Sequence, residues 1–89
     1  MTMSKAQQTT DHDKIKSWIE ERKGRPSKVA GNGKNGILRV DFREKDEDLT
    51  EIGWEDFFRI FEESRLAFLF QEETAGGEKS RFNKFIQRD

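Results

Sequence analysis

Six of the ten aromatic residues fall in one stretch, "IGWEDFFRIFEESRLAFLF" (52–70), and that stretch decides what the chain can fold into. Trp54, Phe57, Phe58 and Phe61 recur at i, i+3, i+4 and i+7, so four aromatic side chains share one face of a helix over 52–64. The run "LAFLFQEE" (66–73) then switches to a period of two. Leu66, Phe68 and Phe70 line one face, while Ala67 and Leu69 make the other face apolar as well. A strand apolar on both faces is central and covered on both sides. The chain needs this cluster, because apolar residues make up 31% of it and charged residues 39%, a balance that leans toward disorder. Aromatic side chains offset that by burying a large area each. Eighty-nine residues then make one small domain with a modest core.

Other elements are read around that centre. Residues 1–9 carry no apolar pattern and read as a disordered tail, with a single domain over 10–89. Thr10 with Asp13 three residues later resembles a capping box, and Ile15, Trp18 and Ile19 form one helical stripe over about 11–23. Gly24 stands where a left-handed residue ends a helix, and Pro26 blocks continuation. A short strand centred on Val29 (26–31), the loop "GNGKNG" (31–36) and the alternating "ILRVDF" (37–42) read as an antiparallel hairpin, its register left open by the loop length. "REKDEDLTE" (43–51) reads as a solvated connection. Gly53 is a weak N-cap, with Ile52 and Phe57 placed as a hydrophobic staple. "RFNKFIQR" (81–88) fits a short helix better than a strand. The expected class is α+β: order α-β-β-α-β, a three-stranded, mainly antiparallel sheet with two helices on one face, and a short C-terminal element on the other face or an edge.

Charge and motifs bound the function. Net charge is −1, yet residues 11–40 carry eight Lys/Arg against four Asp/Glu, residues 41–65 four against ten, and residues 78–89 four against two. The basic run "RKGRPSK" (22–28) resembles an AT-hook, a narrow Arg-Pro arm for the minor groove. That makes Arg22, Lys23, Arg25, Lys28 and Lys34 the candidate nucleic-acid contacts. The same glycine and proline are also explained by ending a helix, and a hook has arginines on both sides of its glycine. His12, between Asp11 and Asp13, reads as a cap-region residue. With no Cys and no second His, it has no such co-ligands for a metal site. "GNGKNG" lacks the Lys-Ser/Thr ending of a phosphate-binding loop, and 43–55 lacks the spacing of a calcium loop. No nucleophile-and-base pair stands out. The expectation is a chain that is not an enzyme and needs no cofactor or metal. No apolar run reaches the ~20 residues of a membrane span, and the N-terminus has no apolar signal stretch, so a cytoplasmic location is expected.

"TDHDKIKSWIEERKGRPSKV", "GILRVDF", "EIGWEDFFRIFEE", "LAFLFQEET" and "SRFNKFIQRD" together resemble a family of small bacterial proteins without an assigned activity. The resemblance runs from Thr10 to Asp89 and implies no catalytic residue or cofactor. Some members are labelled glucan branching enzyme, which implies a carbohydrate-associated role; the branching reaction itself needs a large barrel that 89 residues cannot build. Members commonly have Ser at the position of Gly53 and glycine at that of Lys23. The function expected first is therefore a non-catalytic interaction or regulatory module that binds a protein partner or a second copy of itself. Nucleic-acid binding through residues 22–34 stands as the alternative.

Overall fold

In the computed structural model, which describes residues 6–29, 38–42 and 46–88, eight elements follow one another. They are β1 (Gln7–Thr9), α1 (His12–Glu21), β2 (Arg25–Val29), β3 (Leu38–Asp41), β4 (Leu49–Glu51), α2 (Trp54–Glu63), β5 (Leu66–Phe70) and β6 (Asn83–Gln87). The class is α+β, with two three-stranded antiparallel sheets where one was expected. The first has the order β1-β5-β6 and the second β3-β2-β4. Their side chains and both helices feed one core of Ile15, Trp18, Ile19, Leu38, Val40, Phe57, Ile60, Phe61, Phe68 and Phe70. Among the described residues no helix is long and apolar enough to cross a membrane.

The expected stripes hold, with shifts at their ends. Ile15, Trp18 and Ile19 are the buried residues of α1. In α2, Phe57 and Phe61 are buried together with Ile60, while Trp54 and Phe58 pack half-buried at the core's edge. Asp11, not Thr10, caps α1: its carboxylate accepts the N–H groups of Asp13 and Lys14 at 3.0 and 3.3 Å. Asp is the better cap here because its carboxylate also meets the positive end of the helix dipole.

Helix α1 ends at Glu21, two residues earlier than expected. Lys23 takes the left-handed conformation (φ 58°) and donates its N–H to Glu20 O, while Gly24 donates to Ile19 O, the two bonds of a Schellman motif. Gly24 is needed for space instead. A Cβ there would stand 2.7 Å from Val40 Cγ1 and 2.9 Å from Ile19 Cγ2, so the absent side chain lets the chain turn against the core.

Three strands lie outside the expected set. Gln7–Thr9, read as tail, pairs with Phe70–Phe68. Leu49–Glu51, read as solvated loop, pairs with Val29–Ser27. Residues 83–87, read as helix, pair with 66–70. For the last, Phe85 turns inward to pack 5.3 Å from Phe68 and 5.7 Å from Phe57, while Ile86 lies beside Ala67. A lone helical turn would leave the edge of β5 without hydrogen bonds; a strand satisfies it. Pro26 sits in a central strand at a place where its missing N–H costs no ladder bond. Its carbonyl accepts the Ile52 N–H at 2.9 Å, and β4 has already ended where the return bond would form. The "GNGKNG" loop lies outside the described residues.

Candidate functional site: a basic cleft beside the first helix

The site is built from α1 outward. Four residues after Trp18, Arg22 lies on the same helical face, and its guanidinium sits 4.2 Å from the Trp18 ring. It is one of the few buried charged residues. Nη1 donates to Trp18 O at 2.9 Å, Nη2 to Glu72 O at 2.8 Å, and Nε to Ser80 O. The carboxylates of Glu21 and Glu72 each approach to 3.5 Å. Trp18 adds its indole N–H to Gln71 O at 3.1 Å. Together these two side chains fasten the segment between β5 and β6 to the end of α1.

That segment is shaped around Ser80. Its hydroxyl donates to Gln71 Oε1 at 2.8 Å and accepts the Phe82 N–H at 3.1 Å, while its own N–H reaches Glu72 O. Ser80 is buried, and its neighbours Lys79 and Arg81 are exposed. With Lys23 they border an open cleft of about 370 Å³, lined also by Glu21 and Arg22. Arg81 lies 5.4 Å from the Phe42 ring. The cleft thus joins cations from two stretches that are positive in the sequence, 11–40 and 78–89. Its exposed donors are suited to holding carboxylate or phosphate oxygens.

Of the four singled-out basic residues that are described, Lys23 alone reaches this cleft as an exposed cation. Arg22 forms its inner wall with its fork directed to carbonyls. Arg25 turns into the second sheet, where it donates to Phe42 O and pairs with buried Asp41 at 3.3 Å. Lys28 is half-buried in β2, opposite Leu38 and Thr50. Lys34 lies outside the described residues. "RP" is therefore part of a paired central strand and not a free arm. Lys79 and Arg81 were not singled out; the positive balance of 78–89 was their signal, and nothing local connects it to Lys23.

His12 has a different setting from a bare cap. Its Nε2 lies 2.7 Å from Glu62 Oε2, and its ring stacks on Phe58 at 4.2 Å. Arg88 donates to both oxygens of Glu62, at 3.1 and 3.3 Å, and to Leu66 O. The hydrogen bonds from Arg88 and then His12 hold the Glu62 carboxyl below the usual carboxylate range. This cluster clasps the start of α1, the end of α2 and the end of β6. Among the described residues, no group of three or more His, Cys, Asp or Glu is placed to hold a metal ion.

Set beside known proteins, the chain has no match among family models, curated proteins or solved structures.

Proposed function

We propose that this chain is a non-catalytic protein-interaction module, acting in the cytoplasm, whose basic cleft docks an acidic segment of a partner. The observation that carries this is the convergence of Lys23, Lys79 and Arg81 on one open cleft. Their chain is itself slightly acidic, which favours a local contact over broad binding to a polyanion. The chain's own 41–65 stretch, with ten acidic residues against four basic, is such a segment, so a second copy is the first partner to try.

The test is fluorescence anisotropy with a labelled hexaglutamate peptide, wild type against the K23Q/K79Q/R81Q variant. Wild type is expected to bind, more weakly as salt rises, and the variant to lose binding. Equal affinity for both proteins would overturn the assignment. A short A·T-rich duplex is the comparison probe. Tighter binding of the duplex, with log affinity falling by about 0.9 per phosphate contacted per unit of log salt, would reassign the same cations to nucleic acid.

A further inference from the structure

We infer that Arg22 is the positioning residue of the basic cleft: by holding the Ser80 carbonyl inward, it presents Lys79 and Arg81 on the side where Lys23 stands. This rests on the docking role proposed above. It follows from three observations taken together. First, the Arg22 fork ends on carbonyls of three separate residues, Trp18, Glu72 and Ser80, two of them in the β5–β6 connection. Second, Ser80 is 3% exposed while Lys79 and Arg81 on either side are exposed, so the pull on one residue turns both neighbours out. Third, the tip of that connection is held by its own short turn. Thr74 accepts from Gly77 and donates to Glu78 O, and Gly77 has a φ of 86°. Among the described residues, Trp18 and Arg22 at the end of α1 each send side-chain hydrogen bonds to carbonyls of 71–80. Arg22 itself is too buried to meet a large ligand, its side chain being 2% exposed.

A lysine could keep the charge but not the geometry. An ammonium group presents its donors from one point, whereas the guanidinium fork spans carbonyls on both sides of the connection. R22K therefore separates position from charge. R22K is expected to weaken hexaglutamate binding about as much as the K79Q/R81Q variant does, by up to ~10-fold. Introduced into K79Q/R81Q it should have no further effect, because the cations it positions are already gone. Unchanged affinity in folded R22K, or the full loss repeated in the K79Q/R81Q background, would overturn the inference.

Amide hydrogen exchange supplies a second readout that needs no ligand. Protection in R22K is expected to fall across 72–82 while α1 and β5 keep theirs. A uniform fall would make Arg22 a general stability residue and end the proposal. Should R22K fail to fold, Trp18→Phe loosens the same connection by removing the indole N–H to Gln71 O and trimming the ring on which the Arg22 guanidinium rests. A milder local loss of protection is expected there, and no local change would count equally against the idea. If wild type ignores the peptide, the docking role fails, while the exchange pattern still decides whether Arg22 orders the connection.

Discussion

The two sheets share a plan, a central strand between two antiparallel neighbours, and differ in what holds the centre. Strand β5 is "LAFLF", with Ala67, Phe68 and Phe70 buried and apolar side chains on both faces. Strand β2 is "RPSKV", whose fully buried side chain is Ser27, flanked by Arg39 on β3 and Glu51 on β4. Its start is tied by the Arg25–Asp41 pair, and Asp41 also accepts the Asp46 N–H at 3.3 Å. One sheet is therefore held by apolar area and ring contacts, the other by a few directed polar bonds over a thinner apolar face. The first kind of support depends on volume; the second depends on particular atoms.

The sharpest way to break this comparison is to remove one support from each side. Phe68 is fully buried and packs against Trp18, Phe70 and Phe85. Phe68→Ala is expected to lower unfolding free energy by about 3–5 kcal/mol, and Phe68→Leu by clearly less, read from urea melts. Asp41→Ala removes no large volume but leaves a partly buried guanidinium without its counter-charge. Its Nε already has no hydrogen-bond partner. The expected loss is about 1–3 kcal/mol, held down because the Arg25 side chain is 28% exposed and still reaches Phe42 O. Asp41→Asn should recover part of it. If Asp41→Ala proved as damaging as Phe68→Ala, the two sheets would not differ in the way described.

The same contrast explains what could be read in the sequence. Both central strands were legible, β5 from its two apolar faces and β2 from its place between a helix stop and a glycine-rich loop. The three strands missed, β1, β4 and β6, are all edges. "QQT" and "LTE" have little to bury, since their role is to satisfy the hydrogen bonds of a neighbour, and that demand leaves no local pattern. In β6 the i, i+3, i+4 spacing of Phe82, Phe85 and Ile86 imitates a helix because Phe85 alone turns to the core and Phe82 stays 42% exposed. The cleft was less legible still. Arg22 and Arg25 looked like equivalent surface cations three residues apart, yet the turn at Lys23–Gly24 sends one under the β5–β6 connection and the other into a sheet. Charge composition reports how many cations there are and not which of them are occupied.

That turn can be tested by itself. Gly24→Ala would force a methyl group against Val40 and Ile19, and the overpacking is expected to cost about 1–2 kcal/mol. Val40→Ala opens the space, so Gly24→Ala should cost less in that background than in wild type. Additive effects in the double-mutant cycle would show that the crowding is not at Val40.

A smaller effect is expected from the clasp on the far side of the core. Glu62 is held below its usual carboxylate range by Arg88 and His12, so it contributes stability that is fully present above the unfolded-state value and is lost as pH falls through the depressed folded value. Glu62→Gln should therefore flatten the acid limb of the stability–pH curve below the ordinary carboxylate range. The change will be small, because the Glu62 side chain is 44% exposed and solvent screens the pair. An acid limb of unchanged slope in Glu62→Gln would mean that Arg88 and His12 are held by Leu66 O and Phe58 without help from the carboxylate.

The smallest expected change compares the two helix ends. Both α1 and α2 end on a cation with positive φ, Lys23 at 58° and Arg65 at 52°, where glycine would be less strained. A cation near a helix C-terminus gains from the dipole, which partly offsets the strain. Lys23→Gly and Arg65→Gly should each stabilise the fold by about 0.5–1 kcal/mol, and by more at high salt, where the dipole contribution of the removed cation is screened. They should part company in binding. Lys23→Gly is expected to weaken hexaglutamate binding while raising stability, whereas Arg65→Gly, away from the cleft, should leave affinity unchanged. Opposite movement of stability and affinity at Lys23 alone would identify its cation as kept for the cleft; parallel behaviour at both ends would reduce Lys23 to a helix terminus like Arg65.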